Sequence, residues 1–393
     1  MYRSRYTAAV IRVAIAQEIV PHYRVPFFRK LAAVPGVQLH LLADKRHAGG
    51  SLAPAGEAEL DIRQADHRQL GPFFWQPRTL AEAARGAVDV LVMNWNLRRL
   101  EQMPALFAAR ARGVGTLLWG HGYAKHDTPA KRAARDRTGA LADATLFYTA
   151  PVAEAYVARG HRPDRVFVAP NAIDQAPVEA ARRAWLDRPA DLRAFAAQHG
   201  LRPDRTALFV ARLEPAKRID RLLAAFAIVA KTLPDARLVI VGGGPEEPYL
   251  RARAAELGIG DAVIFAGPIH DQMALAPWFL NAAVAAFPID VGLSVLHAFG
   301  FGVPLVTSDD LQRHGPEIVA LRPGENGLLY RAGDVEHLAE QMGAVMADPA
   351  LRARLAEGAL ATVREPGGYT LDRMLEGFLE AIDAVAGLRG KRR

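Results

Sequence analysis

Thr206-Ala-Leu-Phe-Val-Ala211 is a short apolar run followed by the charged segment Arg212-Leu-Glu-Pro-Ala-Lys-Arg218. Residues Ile219–Lys231 then carry apolar side chains at helical spacing, and Arg237-Leu-Val-Ile-Val-Gly242 is apolar and β-branched again. Together they read as strand, loop, helix and strand. Short runs that are apolar throughout, without alternation, belong to parallel strands buried on both faces. The pattern repeats in both directions along the chain. Before this segment the predicted strands are Val10–Ala16, Val37–Ala43, Asp89–Asn94, Gly115–His121, Ala144–Thr149 and Arg165–Pro170. After Arg237–Gly242 come Ala262–Gly267, Val284–Pro288, Pro304–Ser308 and Gly327–Tyr330. Six strands in each half predict an α/β chain with two Rossmann-like domains. A length of 393 residues agrees with that division.

The predicted boundary lies within Asn171–Arg205, where Pro177, Pro189 and Pro203 interrupt the pattern and one helical piece is expected around Asp191–His199. The domains are placed at 1–175 and 176–369. A final helix, Thr370–Leu388, follows the break at Pro366-Gly-Gly368.

Composition excludes several classes of function. With no cysteine, the chain has no disulfide, thiolate metal site or cysteine nucleophile. No apolar run reaches the roughly 20 residues of a spanning helix. Arg3, Arg5 and Arg12 flank or interrupt the first apolar stretch, which reads as a buried strand and not as a secretory signal. The expected location is therefore the cytoplasm. Residues 1–174 hold 24 lysines and arginines against 15 acids, and the remainder holds 25 against 27. The basic half could face phosphates or an anionic membrane, or could simply be a solvated arginine-rich surface. No RNA-binding motif, zinc finger or basic recognition helix supports nucleic acid as the partner.

Parallel sheets bind ligands beyond the carboxyl ends of their strands, so the loops after strands hold the candidates. Arg212 and Lys217 follow one strand and could clamp a diphosphate. Gly243, within Gly242-Gly-Gly-Pro245, would let backbone approach a ligand. Phe265 ends another strand, whose backbone could meet a base. In Asp290-Val-Gly-Leu-Ser294, Ser294 is expected to cap a short helix whose N-terminus would attract an anion, and Gly292 would let the loop approach it. His297 lies one turn further on, and Pro304 begins the next strand. In the first half, His121 sits in Trp119-Gly-His-Gly-Tyr123 and Asn94 begins Asn94-Trp-Asn96, both at strand ends.

Several of these segments together resemble the family 4 retaining glycosyltransferases of GT-B architecture. The resemblance rests on Val210-Ala-Arg-Leu-Glu-Pro-Ala-Lys217, Leu238-Val-Ile-Val-Gly-Gly-Gly-Pro245, Val263-Ile-Phe-Ala-Gly267, Gly302-Val-Pro-Leu-Val306 and Pro316-Glu-Ile318 with Glu325-Asn-Gly-Leu-Leu329. Val168-Ala-Pro-Asn-Ala-Ile-Asp174 fits as well, and His22-Tyr-Arg-Val-Pro-Phe-Phe-Arg-Lys30 looks like the start of bacterial surface-polysaccharide enzymes. The resemblance implies two Rossmann-like domains facing a cleft, with the last helix returning to the first domain. It implies that Arg212 and Lys217 hold a donor diphosphate, that Phe265 lies near the base, and that Val291, Gly292 and Leu293 contact sugar and phosphate. His121 would touch the donor sugar and Glu317 the sugar or diphosphate loop, while Tyr23, Arg24 and Asn94 belong to the acceptor side. Where the family has two glutamates eight positions apart, this chain has Ile289 and His297. Asp290 is the neighbouring carboxylate, and His297 could still hydrogen-bond a ribose hydroxyl.

The implied reaction moves a sugar from a nucleotide-diphosphate sugar to a saccharide or lipid-linked acceptor, with retention of configuration. No cofactor is expected. No Asp-x-Asp pair is present, and the two cations would take a metal's place. The rival readings are an epimerase or hydrolase of the same fold and a non-catalytic nucleotide-sugar binding protein. A dehydrogenase is disfavoured by the lack of a GxGxxG fingerprint.

Overall fold

A computed structural model of the chain describes residues 10–45, 60–123, 127–364 and 367–390. Arg3, Arg5 and Pro366 of the sequence reading lie outside these residues. The chain forms two compact units, Met1–Asn171 with Leu371–Arg393, and Ala172–Thr370.

The first unit contains β1 (Ile11–Ala16), β2 (Val37–Ala43), β3 (Ile62–Gln64), β4 (Arg68–Leu70), β5 (Phe73–Trp75), β6 (Val90–Asn94), β7 (Gly115–Gly120), β8 (Ala144–Phe147) and β9 (Val166–Val168). Seven of these make a parallel sheet in the order β3-β2-β1-β6-β7-β8-β9. β4 and β5 form a separate antiparallel hairpin. The central strands are apolar on both faces, as the uninterrupted runs predict: every residue from Val90 to Met93 and from Thr116 to Gly120 is buried. The helix Leu371–Gly390 packs in this unit, with Phe378 against Phe27 and Trp119.

The second unit contains β10 (Thr206–Val210), β11 (Arg237–Val241), β12 (Val263–Gly267), β13 (Val284–Phe287), β14 (Leu305–Ser308) and β15 (Gly327–Tyr330). All are parallel, in the order β12-β11-β10-β13-β14-β15. This is the Rossmann order, and it reverses direction between β10 and β13. That reversal opens a crevice at the carboxyl ends of these two strands, which is where the sequence placed Arg212, Lys217 and the Asp290–Ser294 loop.

Each of the twelve predicted strands is present to within two residues at either end. β3 and the β4–β5 hairpin were not foreseen. Each is three residues long, and only β5, Phe-Phe-Trp, is apolar throughout, a run too short to read as a buried strand. The predicted proline-interrupted connection is mostly helical, with helices at Gln175–Leu186 and Pro189–His199. Pro177 and Pro189 fall in first turns, where a missing N–H costs no intrahelical bond. Asp174 caps the first helix by accepting from Ala176 N–H at 3.0 Å.

Candidate active site

At the reversal point of the second unit, the loop after β13 is held from several sides. Tyr330 Oη donates to the Pro288 carbonyl at 2.7 Å. Val291 N–H donates to His314 Nδ1 at 3.2 Å, and the Val291 carbonyl accepts from Gly315 N–H at 2.7 Å. Because a backbone N–H can only donate, His314 Nδ1 must be an acceptor there. The Nε2 proton then points to Ser308, whose carbonyl lies 3.1 Å away. Lys217 Nζ reaches across from the β10 loop and donates to both the Asp290 carboxylate, at 2.9 Å, and the Asp290 carbonyl. Asp290 adopts φ +56°, a left-handed conformation that Asp tolerates better than most residues. Four anchors on six residues leave the loop little freedom.

Ser294 does not cap the helix as predicted. The cap residue is Leu293, already helical at φ −56°, and Ser294 begins the helix Ser294–Gly300. Its hydroxyl donates to the Val210 carbonyl at 3.2 Å, tying the helix start to the end of β10. The sequence correctly marked Ser294 as special but mistook the bond: the Oγ serves the neighbouring strand, not the helix.

Arg212 is exposed and its Nε lies 3.2 Å from Glu214. Lys217 is partly buried in its ion pair with Asp290. Both cations therefore stand beside carboxylates at the carboxyl end of β10. Two glycines of the triglycine turn have a packing reason of their own. A Cβ on Gly242 would lie 1.9 Å from the Ala211 carbonyl oxygen, and one on Gly244 would lie 2.3 Å from that of Leu213. These two glycines let the β11 turn press against the Arg212 loop. A Cβ on Gly243 would meet only ordinary contacts, the nearest at 3.6 Å to Pro268.

At the end of β12, the register against β11 slips so that Val241 pairs with Gly267 and Ala266 bulges out. The bulge leaves the Ala266 backbone outside the ladder. The face of Phe265 carries the Arg251 guanidinium, 4.4 Å from the ring centroid. Glu317 is buried, and its Oε2 lies 3.7 Å from where a Cβ on Gly292 would stand. A side chain on Gly315 would come within 2.6 Å of the same oxygen. Glycine at 292 and 315 thus lets this carboxylate lie against the loop backbone.

Ile289 is buried, so the position where the resemblance anticipates the first glutamate offers no polar group. His297 is packed against the stacked rings of Phe279 and Phe301, with Nε2 2.8 Å from Gln272 Oε1. Burial lowers its pKa to about 4, so the ring is neutral at pH 7. With the proton on Nε2, Nδ1 is left as an acceptor.

In the first unit the sheet order reverses between β1 and β6. There Gln17 Nε2 donates to Asn94 Oδ1 at 3.3 Å, and Gln102 Nε2 donates to the Asn94 carbonyl at 2.7 Å. His121 is exposed just after β7, its ring 4.8 Å from that of Tyr148. Tyr23 is partly buried. Arg24, expected on the acceptor side, is a buried cation, with its guanidinium 4.2 Å above the Trp119 ring and Nη2 donating to Tyr148 Oη at 3.0 Å. Burial alone would lower its pKa, but the Tyr148 and Tyr23 phenols outweigh this and keep it charged. Arg24 holds Tyr148, which in turn packs on His121.

Sequence reasoning missed Gln17, Gln272, His314 and Tyr330. Each acts through a partner distant in the chain, and none sits in a local motif. The Gly315 constraint is partly tertiary too, since a Cβ there would meet Gly292 and Val291 as well as the nearby Glu317.

The profile of the family Glycosyl transferases group 1 matches residues 193–361. A D-inositol 3-phosphate glycosyltransferase from Acidothermus cellulolyticus is 35% identical over 58% of this chain, an alignment that spans 50% of that protein. A D-inositol 3-phosphate glycosyltransferase from Stackebrandtia nassauensis is 32% identical over 78% of this chain and 72% of its own length. The chain belongs to the group 1 glycosyltransferases. The fold of this group 1 glycosyltransferase is similar to that of Anabaena HepE, solved in complex with UDP, with a TM-score of 0.70 at 16% identity across 95% of this chain and all of that one. The two units are accordingly the Rossmann-like domains of a GT-B fold. In this group 1 glycosyltransferase Ile289 and His297 stand where the family resemblance anticipates two glutamates.

Proposed function

We infer that this group 1 glycosyltransferase moves a sugar from a nucleoside-diphosphate donor to a saccharide or lipid-linked acceptor, with retention of anomeric configuration. The observation that carries the reading is the meeting of Lys217, Arg212 and the anchored Asp290–Ser294 loop at the reversal point of the second sheet. Negative charge grows on the β-phosphate as the bond from its bridging oxygen to the anomeric carbon breaks. Fixed cations and backbone N–H groups that do not reorganise stabilise that charge best. The acceptor oxygen forms its bond on the same face and passes its proton to the departing phosphate. Ala266, outside its ladder, is suited to hydrogen-bond a base through the backbone. His121 is assigned to the donor sugar, and Asn94 with Gln17 to the acceptor side.

Arg212 and Lys217 replace a metal in this scheme, so chelation should leave activity unchanged. The UDP held by Anabaena HepE makes uracil the first base to test. The decisive experiment incubates purified protein with UDP-, GDP- and dTDP-sugars, with and without saccharide acceptors, and measures free nucleoside diphosphate. Release that requires an acceptor, with a product of the donor's anomeric configuration by NMR, supports transfer. Equal release without acceptor would instead favour a hydrolase or epimerase.

A further inference from the structure

Beyond β7 the chain turns at Gly122, with exposed His121 on one side and partly buried Tyr123 on the other. Gly122 has φ +70°, and a Cβ there would lie 2.7 Å from Phe147 Cε1 and 2.9 Å from Val152 Cγ1. The turn therefore rests against the buried Phe147 ring, and only a residue without a Cβ can make it. A glycine has no side chain to hold its own conformation, so the aim of His121 depends on the residues around it. Tyr123 supplies such a hold: its Oη donates to Asp136 Oδ1, in the helix Pro129–Leu141, at 2.6 Å.

Asp136 is itself a fixed acceptor. Its Oδ2 accepts from Arg159 Nε at 3.1 Å, and His161 Nε2 lies 3.5 Å from Oδ1. His161 stacks on Tyr156 with ring centroids 3.6 Å apart and planes 4° from parallel, and Tyr156 is buried against Trp95 and Phe147. A Cβ on Gly139 would lie 2.1 Å from Tyr156 Oη, so the helix that carries Asp136 closes on this ring because that position is glycine. The start of the same helix is tied independently, by Arg135 Nε donating to Asp127 Oδ2 at 2.6 Å. Burial, and then the Asp136 carboxylate, push the Tyr123 phenol up, so it is a hydroxyl donor at neutral pH. Burial alone would raise the Asp136 carboxyl, but Arg159 and Tyr123 hold it below the usual range, so it is an anionic acceptor.

We propose that Tyr123, held by Asp136, is a positioning residue that aims the His121 ring at the reacting sugar. The inference rests on the assignment of His121 to the donor sugar. One glycine separates the two side chains, so a swing of Tyr123 is passed to His121 through the backbone. On its other side the His121 ring meets Tyr148, 4.8 Å away, and Arg24 Nη2 holds Tyr148 Oη at 3.0 Å. The turn is thus fixed on both sides of its pivot before any substrate arrives. Holding a group in place in advance raises turnover without tightening the binding of the nucleotide.

The test uses the purified full chain and whichever of the UDP-, GDP- and dTDP-sugars gives acceptor-dependent release. Tyr123→Phe leaves Asp136 paired with Arg159, so the melting temperature should move little. Its kcat should fall on the order of tenfold, while KM and nucleoside-diphosphate affinity stay within about twofold. Asp136→Asn keeps an oxygen facing Tyr123 and should retain most of the rate, whereas Asp136→Ala should behave like Tyr123→Phe. In the His121→Ala background, Tyr123→Phe should lower kcat no further, because a residue that acts through His121 has nothing left to aim. Histidine-selective NMR reads the ring directly: the His121 resonance, identified by its loss in His121→Ala, should shift or broaden in Tyr123→Phe. A normal kcat in Tyr123→Phe beside a slow His121→Ala, multiplying losses in the double variant, or an unmoved His121 resonance would overturn the inference. A normal kcat in His121→Ala would instead overturn the assignment of His121 to the sugar, and the resonance would still decide whether Tyr123 fixes the ring.

Discussion

Two adjacent glycines offer a sharp test of how the donor loop is built. Replacing Gly244 with alanine would put a Cβ 2.3 Å from the Leu213 carbonyl oxygen and 2.8 Å from the Leu213 carbon and nitrogen. All three atoms are backbone and cannot rotate away. The same carbonyl accepts from Glu246 N–H at 3.2 Å, and Leu213 N–H donates to the Gly243 carbonyl at 3.1 Å. Relieving the clash needs a displacement of about 1 Å to reach ordinary contact distance. Overpacking of this kind costs about 1–3 kcal/mol. In a unit of this size that corresponds to a fall in melting temperature on the order of 2–12 °C. Because Arg212 is next to Leu213, the same shift moves a cation of the site, and about 1 Å of misplacement can cost on the order of 10²-fold in rate. Gly243→Ala is the matched control, since its new Cβ would find no atom nearer than 3.6 Å. Differential scanning fluorimetry and turnover on the two variants make the comparison. Equal effects from Gly244→Ala and Gly243→Ala would refute the close-approach argument.

Other perturbations separate the remaining roles. His297 has its pKa lowered to about 4 from an ordinary 6.5 by burial, so the unfolded chain binds the extra proton first as pH falls. Stability should drop from about pH 6.5 down to pH 4, by up to ~3 kcal/mol, and His297→Gln should flatten that part of a denaturation profile; an unchanged slope would contradict it. Asp290→Asn keeps the left-handed backbone tolerable but releases Lys217 from its carboxylate, so calorimetry should find nucleoside diphosphate bound about 2–5-fold more tightly. Weaker binding would show that the carboxylate aids the donor site. His121→Ala should lower turnover far more than nucleotide affinity; an unaltered turnover number would remove His121 from the site.

The sheets were legible because buried parallel strands need runs that are apolar on both sides, and Leu238–Val241 or Leu305–Val306 have no other reading. The hairpin at Arg68–Trp75 was not, because its apolar residues are displayed and not buried. At the proposed site, local chemistry pointed to Arg212, Lys217 and Ser294, whose loops follow directly from their strands. Their partners could not be located in the same way. Lys217 meets Asp290 only because β10 and β13 are neighbours, a fact of strand order that no motif encodes. His314, in the segment after β14, and Tyr330, at the end of β15, each fasten the loop after β13 by a single hydrogen bond, and nothing adjacent to them in sequence marks that duty. The burial of Arg24 was equally illegible, because Trp119 and Tyr148, which provide its place, lie about a hundred residues away in the chain.

The central claim is that Arg212 and Lys217 stabilise a departing diphosphate, and acceptor-dependent turnover of purified, folded Arg212→Ala, Lys217→Ala and Lys217→Arg measures it most directly. Each alanine variant should lose on the order of 10²-fold or more in turnover, by analogy with removal of one donor from an oxyanion site. Lys217→Arg should recover little, since a planar guanidinium does not reproduce the compact ammonium that reaches both the carbonyl and the carboxylate of Asp290. Near-normal rates and nucleotide affinity in both alanine variants would contradict the donor-site assignment.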